Sequence, residues 1–130
     1  MKKIGDKAQG TVEFIIIFGF ILMFFTVFFA IIQMNINDKN KEKERIIIQN
    51  VALDVQDEIN LAAEASEGYC REFKIPSNIL GKDYEINVSN AHVVVVLDGF
   101  TSTYKSHQVI GEINKTLNII RKQNGQVYLN

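Results

Sequence analysis

The sequence has little of what most chemical sites require. Its single cysteine, Cys70, cannot form an internal disulfide, so whatever folds must hold by packing alone. Cys70 itself reads as a small buried hydrophobe. No GxxxxGK[ST], HExxH or CxxC pattern occurs, and His92 and His107 have no cysteine or acidic residue at ligand spacing. Both histidines read as ordinary strand residues, and no residue set calls for a metal, a cofactor or an active site. An excess of one charge is missing too: 14 Lys and Arg against 15 Asp and Glu give a net charge of −1. Residues 38–45, DKNKEKER, alternate in sign, which suits a solvated face or a membrane-surface collar and argues against nucleic-acid binding. The absence that most shapes the chain is of any charge at all between Phe14 and Ile32.

That run of 19 residues matches the ~20 needed to cross a bilayer core as a helix, and it shows no polar face. Seven of the 9 phenylalanines lie in it as lipid-facing or packing bulk. Thr26 is its one hydroxyl, and Gly19 has no glycine four residues away, so a GxxxG dimerisation face is not supported. With 130 residues in all, what remains is enough for one small domain. Charge does not orient the span, because Lys2, Lys3, Lys7 and the Met1 amine before it are balanced by Lys39, Lys41, Lys43 and Arg45 after it. A secretory cleavage site after the run is also lacking, since Ala30 is followed by Ile31, Ile32 and Gln33. The small residue lies before the run, at Ala8, behind Lys7.

Lys7, Ala8, Gln9, Gly10, Thr11, Val12, Glu13 and Phe14, followed by an unbroken apolar run, fill every position of the pattern K-[GA]-Q-x-[ST]-x-E-F. This stretch resembles the class III signal peptide of archaeal type IV pilins. The resemblance covers about 25 residues and is architectural beyond them. It implies a cut by a prepilin peptidase between Ala8 and Gln9, on the cytoplasmic side, leaving the apolar helix on the mature chain. Archaellins favour a different sequence after the cut. Bacterial TadE-like pseudopilins share the VEF but often carry a proline in the run, and this run has none.

Glu13 stands against the apolar run, although a carboxylate at a bilayer centre costs on the order of 2.5–3.5 kcal/mol, and less near the interface. After the implied cut it is the fifth residue, one turn inward of the Gln9 amine. The helix dipole favours a carboxylate there by only roughly 0.3–1 kcal/mol. If subunits assemble with a small axial rise, Glu13 of one helix meets the Gln9 amine of its neighbour. Removing one partner from such a buried pair costs about 3–5 kcal/mol, so Gln9 and Glu13 would set subunit register.

Past the span, Ile48, Val51, Val55, Ile59 and Ala62 recur at helical spacing, with Asp54, Asp57, Glu58 and Glu64 on the other side. Gly68 reads as the helix stop and Pro76 as a bar to continuation. The asparagine-rich stretch 35–41, NINDKNK, is where a break or bend is expected. After Gly68 the pattern turns to strands. Tyr84–Ser89 alternates, His92–Leu97 (HVVVVL) suits a central strand before an Asp98-Gly99 turn, and residues 101–110 form a weaker strand. LNIIRKQ and QVYLN flank the hairpin signal Asn124-Gly125. An antiparallel meander covered on one face by the second helix is predicted.

The expected fold class is therefore α+β, of type IV pilin-like layout: a long hydrophobic N-terminal helix continuing into an amphipathic helix packed on a small C-terminal antiparallel sheet. The expected divisions are a cleaved leader at 1–8, a membrane and filament-core helix at 9–34, a charged segment and amphipathic helix at 35–67, and a β head at 68–130. Asn87-Val88-Ser89 and Asn114-Lys115-Thr116 are sequons, acceptors only outside the cell; the strand alternation sets Asn87 opposite the apolar face.

The resemblance implies a structural subunit, not an enzyme, that polymerises into a surface filament for adhesion or surface attachment. Its implied partners are itself, a prepilin peptidase, the membrane and a pilus assembly platform. It implies a membrane protein before assembly, with a cytoplasmic N-terminus and an extracellular head, and an extracellular filament afterwards. The competing expectations are a single-pass anchored binding domain that never polymerises and a TadE-like minor pseudopilin.

Overall fold

The computed structural model describes residues 2–130, and for residues 2–8 the backbone alone. Helix α1 (Lys2–Glu64) is followed by β1 (Cys70–Ile75), β2 (Glu85–Ser89), β3 (His92–Leu97), β4 (Phe100–Lys105), β5 (Val109–Gly111), β6 (Thr116–Gln123) and β7 (Gln126–Leu129). The fold is α+β, with two compact units: one ends at Asn40 and the other is Lys41–Asn130.

The asparagine-rich stretch is helical throughout, against the expected break. Asparagine is a poor helix former, yet no glycine or proline occurs between Phe20 and Glu67. Opposite charges also sit three apart at Asp38/Lys41, Lys39/Glu42, Lys41/Glu44 and Glu42/Arg45, a spacing worth ~0.2–0.5 kcal/mol a pair on a helix surface. The helix stops at Glu64, before the expected 67. Gly68 instead takes φ +85 in a turn closed by Tyr69 N donating to Ser66 O. No basic residue lies in the last helical turn; the Lys122 ammonium from β6 caps it, donating to Ala63 O at 2.6 Å and Ala65 O at 2.8 Å.

Each residue of the predicted helical stripe is buried: Ile48, Val51, Val55, Ile59 and Ala62, with Ala52 beside them. They share one core with Phe73, Ile75, Ile79, Tyr84, Val93, Val95, Leu97, Ile120, Val127 and Leu129. The strands do not form one meander. β2-β3-β4 is an antiparallel three-stranded sheet, with β3 central as its sequence suggests, and β1-β6-β7-β5 is a second sheet in which β5 runs parallel to β7. The expected strand at 101–110 is thus two strands in different sheets, interrupted at residues 106–108, where His107 lies outside any strand.

Gly111 explains how β5 reaches β7. Its φ is +116, and a Cβ there would lie 2.0 Å from Leu129 O, so only glycine lets the two backbones approach. Among the described residues, the two-residue turns Leu80-Gly81, Asn90-Ala91, Asp98-Gly99 and Asn124-Gly125 have both residues at positive φ, the type I′ condition. Cys70, expected inside, is exposed at the start of edge strand β1, where its neighbours Arg71 and Glu72 are also exposed.

Candidate membrane span and assembly segment

The sequence motif lies in the first turns of α1. The side chains of Lys7 and Ala8, two of the six specified positions of the expected signal, are outside the described residues. Gln9, Thr11, Glu13 and Phe14 are all exposed. Gln9 Nε2 donates to Glu13 Oε1 at 3.4 Å along the same helix, so the two residues expected to pair between subunits already touch within one chain. Phe14 stacks on Phe18 with ring centroids 6.1 Å apart, and Phe24 on Phe28 at 6.5 Å, as i, i+4 spacing dictates.

From Val12 to Ile36 every large apolar side chain except the half-buried Ile32 is exposed. One 18-residue window has a mean hydropathy of 3.0 and none of it is buried. A helix core of a folded domain would be covered, so burial separates this segment from the stripe at 48–62. Thr26 Oγ1 donates to Leu22 O at 2.9 Å, leaving the lone hydroxyl of the run satisfied inside its own helix. Every backbone group of a continuous helix interior is likewise paired, the condition for lying in hydrocarbon. The helix is long and apolar enough to cross a membrane. Hollows between Phe20, Met23, Phe24 and Val27 are furrows between side chains of a bare helix, not an enclosed cavity.

Of the two sequons, Asn87 is exposed on β2, an edge strand, as alternation predicts. Asn114 is exposed in the loop before β6, and buried Asn118 grips its backbone: Asn114 N donates to Asn118 Oδ1 and Asn118 Nδ2 donates to Asn114 O, both at 2.7 Å. His92 is an exposed β3 residue with Nδ1 at 2.8 Å from Asn90 O. His107 Nδ1 is 2.9 Å from Asn60 Oδ1, tying the loop after β4 to the helix. Among the described residues no group of three His, Cys, Asp or Glu side chains is placed to hold a metal ion.

Sequence reasoning missed one polar centre. Lys82 Nζ lies 2.8 Å from Glu44 Oε1 and 2.7 Å from Asp98 Oδ2, joining the helix, the 79–82 turn and the β3–β4 turn. Its hydrogen bonds to Asp98 and then Glu44 raise the Lys82 pKa, and the same bond lowers that of Asp98. Glu44 is 6% exposed although its neighbours Lys43 and Arg45 are exposed. Nothing local in DKNKEKER distinguishes Glu44; its partner is 38 residues away.

Comparison with protein-family models, curated proteins and solved structures finds no match to this chain. The class its own structure defines is an α+β protein with, among the described residues, one candidate membrane-spanning helix near the N-terminus and a small mixed β domain.

Proposed function

We propose that the chain is a type IV pilin-like subunit of a surface filament, held in the membrane by residues 12–36 and then drawn into a bundle of like helices. The observation that carries this reading is the coincidence of an uncovered apolar helix with the motif Lys7–Phe14 immediately before it. In lipid such a helix needs no protein cover; in a filament the same surface meets other copies, exchanging lipid contacts for protein ones. The head lies outside the cell in this reading, and the N-terminus inside.

Glu13 separates this reading from that of a monomeric single-pass anchor. Its contact with Gln9 on its own chain favours the anchor, because it gives the carboxylate a local partner. In an anchor, Glu13→Gln removes a costly charge and leaves membrane levels equal or higher. In a filament it strands a neighbouring amine, at about 3–5 kcal/mol per contact. The expected result is a variant that is cut before Gln9 and retained in the membrane but yields few filaments by electron microscopy of sheared cells. Normal filament yield would overturn the register role. N-terminal sequencing of surface material should begin at Gln9; a mature chain beginning at Met1 or after Ile32 would overturn the processing.

A further inference from the structure

Leu80 breaks a local rule and its own side chain gains little burial for it. It sits at φ +51 in a two-residue turn closed by Ile79 N donating to Lys82 O at 2.9 Å and Lys82 N to Ile79 O at 3.0 Å. Such a position favours Asn, Asp or Gly. A leucine there is strained, and burial does not compensate, because it is 56% exposed. Strain at a side chain left more than half exposed points to a contact outside the chain.

The turn is also held rigidly. Ile79 is in the core, Tyr84 Oη donates to Pro76 O, Lys82 bridges Glu44 and Asp98, and Lys115 pairs with Asp83. Leu80 therefore projects from a fixed post, and little ordering entropy is lost when it docks.

Its place in the fold identifies what it meets. Lys82 touches Glu44, so Leu80 lies at the end of the folded domain where the helix enters it. Lys41, Glu42, Arg45 and Phe100 line a hollow at that end, with the Arg45 guanidinium 5.5 Å from the centre of the Phe100 ring. Lys82 offsets one of the two carboxylates it bridges, Glu44 and Asp98, and Lys41 and Arg45 are exposed cations on the hollow beside the exposed Glu42. From Ile36, the last large exposed apolar residue of the span, to Glu44 is eight residues, at most about 28 Å even if drawn out. Whatever the arrangement of the two units, this end stays within that distance of the headgroups, at high effective concentration.

We propose that Leu80, together with the exposed Lys41 and Arg45 near Glu44, docks this end of the domain on the phosphate headgroup surface of the membrane that the apolar helix spans. The inference rests on the membrane reading of residues 12–36 and is independent of polymerisation. Leu80 enters the boundary between headgroups and acyl chains, and the two cations meet lipid phosphates.

The sequence contains no tryptophan, so Leu80→Trp gives a sole reporter. The full chain is reconstituted in vesicles of phosphatidylcholine and phosphatidylglycerol, with Gln126→Trp in the β6–β7 hairpin as the distant control. Leu80→Trp is expected to show blue-shifted emission that is largely lost when the lipids carry bromine near the headgroup end of their acyl chains, while Gln126→Trp keeps water-like emission. Water-like, unquenched Leu80→Trp would overturn the docking, as would equal quenching of both reporters. A blue shift that grows with protein concentration in bromine-insensitive form would assign Leu80 to a second copy and overturn it too. Flotation reports the span separately: protein that fails to float with the vesicles removes the membrane reading itself, and the docking with it.

Discussion

At Gly111 the backbone and a neighbouring carbonyl leave no room for a side chain, since its Cβ would meet Leu129 O at 2.0 Å. Gly111→Ala is expected to destabilise the domain by at least about 1–3 kcal/mol, the cost of a strained backbone position, and to detach β5 from β7. A lowered urea midpoint with lost amide protection in β5 checks this. At Leu80 the sign reverses: Leu80→Asn suits the turn and should raise stability by roughly 1 kcal/mol, read by thermal melting.

Lys82 sets a pH window at the same scale. Asp98 has its pKa lowered from the ordinary 3.8, so its contribution is present above that value and lost as pH falls through the lower folded one. Lys82 has its pKa raised from 10.5, so its contribution is present below 10.5 and lost as pH rises through the higher folded value. Lys82→Met should therefore lower the melting temperature at neutral pH, with a difference from the parent that shrinks under strong acid and strong alkali. A difference constant with pH would count against the ionic bridge.

One helix carries two apolar patterns, and they answer different surroundings. Residues 48–62 repeat at 3 and 4 and are covered by strands; Ile59→Ala, at 0% exposure, is expected to cost about 2–5 kcal/mol by denaturant titration. Residues 14–32 are apolar on all sides and uncovered, so Phe24→Lys should leave the β domain's stability unchanged. It should instead weaken membrane insertion by about 3 kcal/mol, checked by carbonate extraction of membranes. Both patterns are legible in the chain because helix periodicity is local. The asparagines at 35, 37 and 40 misled because propensity is a weak term beside an otherwise unbroken helical sequence.

For the whole molecule, the core residues all fall between Ile48 and Leu129, within the unit Lys41–Asn130. A fragment of residues 41–130 is expected to fold alone, with helix and sheet by circular dichroism and a cooperative melt. A disordered fragment would mean that the apolar helix contributes to the fold through contacts other than this core.

The uncharged helix, the amphipathic stripe that covers the strands, and the turns at Asp98-Gly99 and Asn124-Gly125 are legible in the chain alone. Each of these rests on residues near one another along the chain: hydropathy, periodicity, and the tolerance of Asn, Asp and Gly for positive φ. Tertiary structure alone decided the split into two sheets, the parallel β5–β7 pair, the exposure of Cys70, the burial of Asn118 and Glu44, and the capping of the helix by Lys122. These depend on partners far apart in the chain, as Glu44 depends on Lys82 and Gly111 on Leu129. A local pattern cannot name such a partner; only the folded backbone brings it within reach.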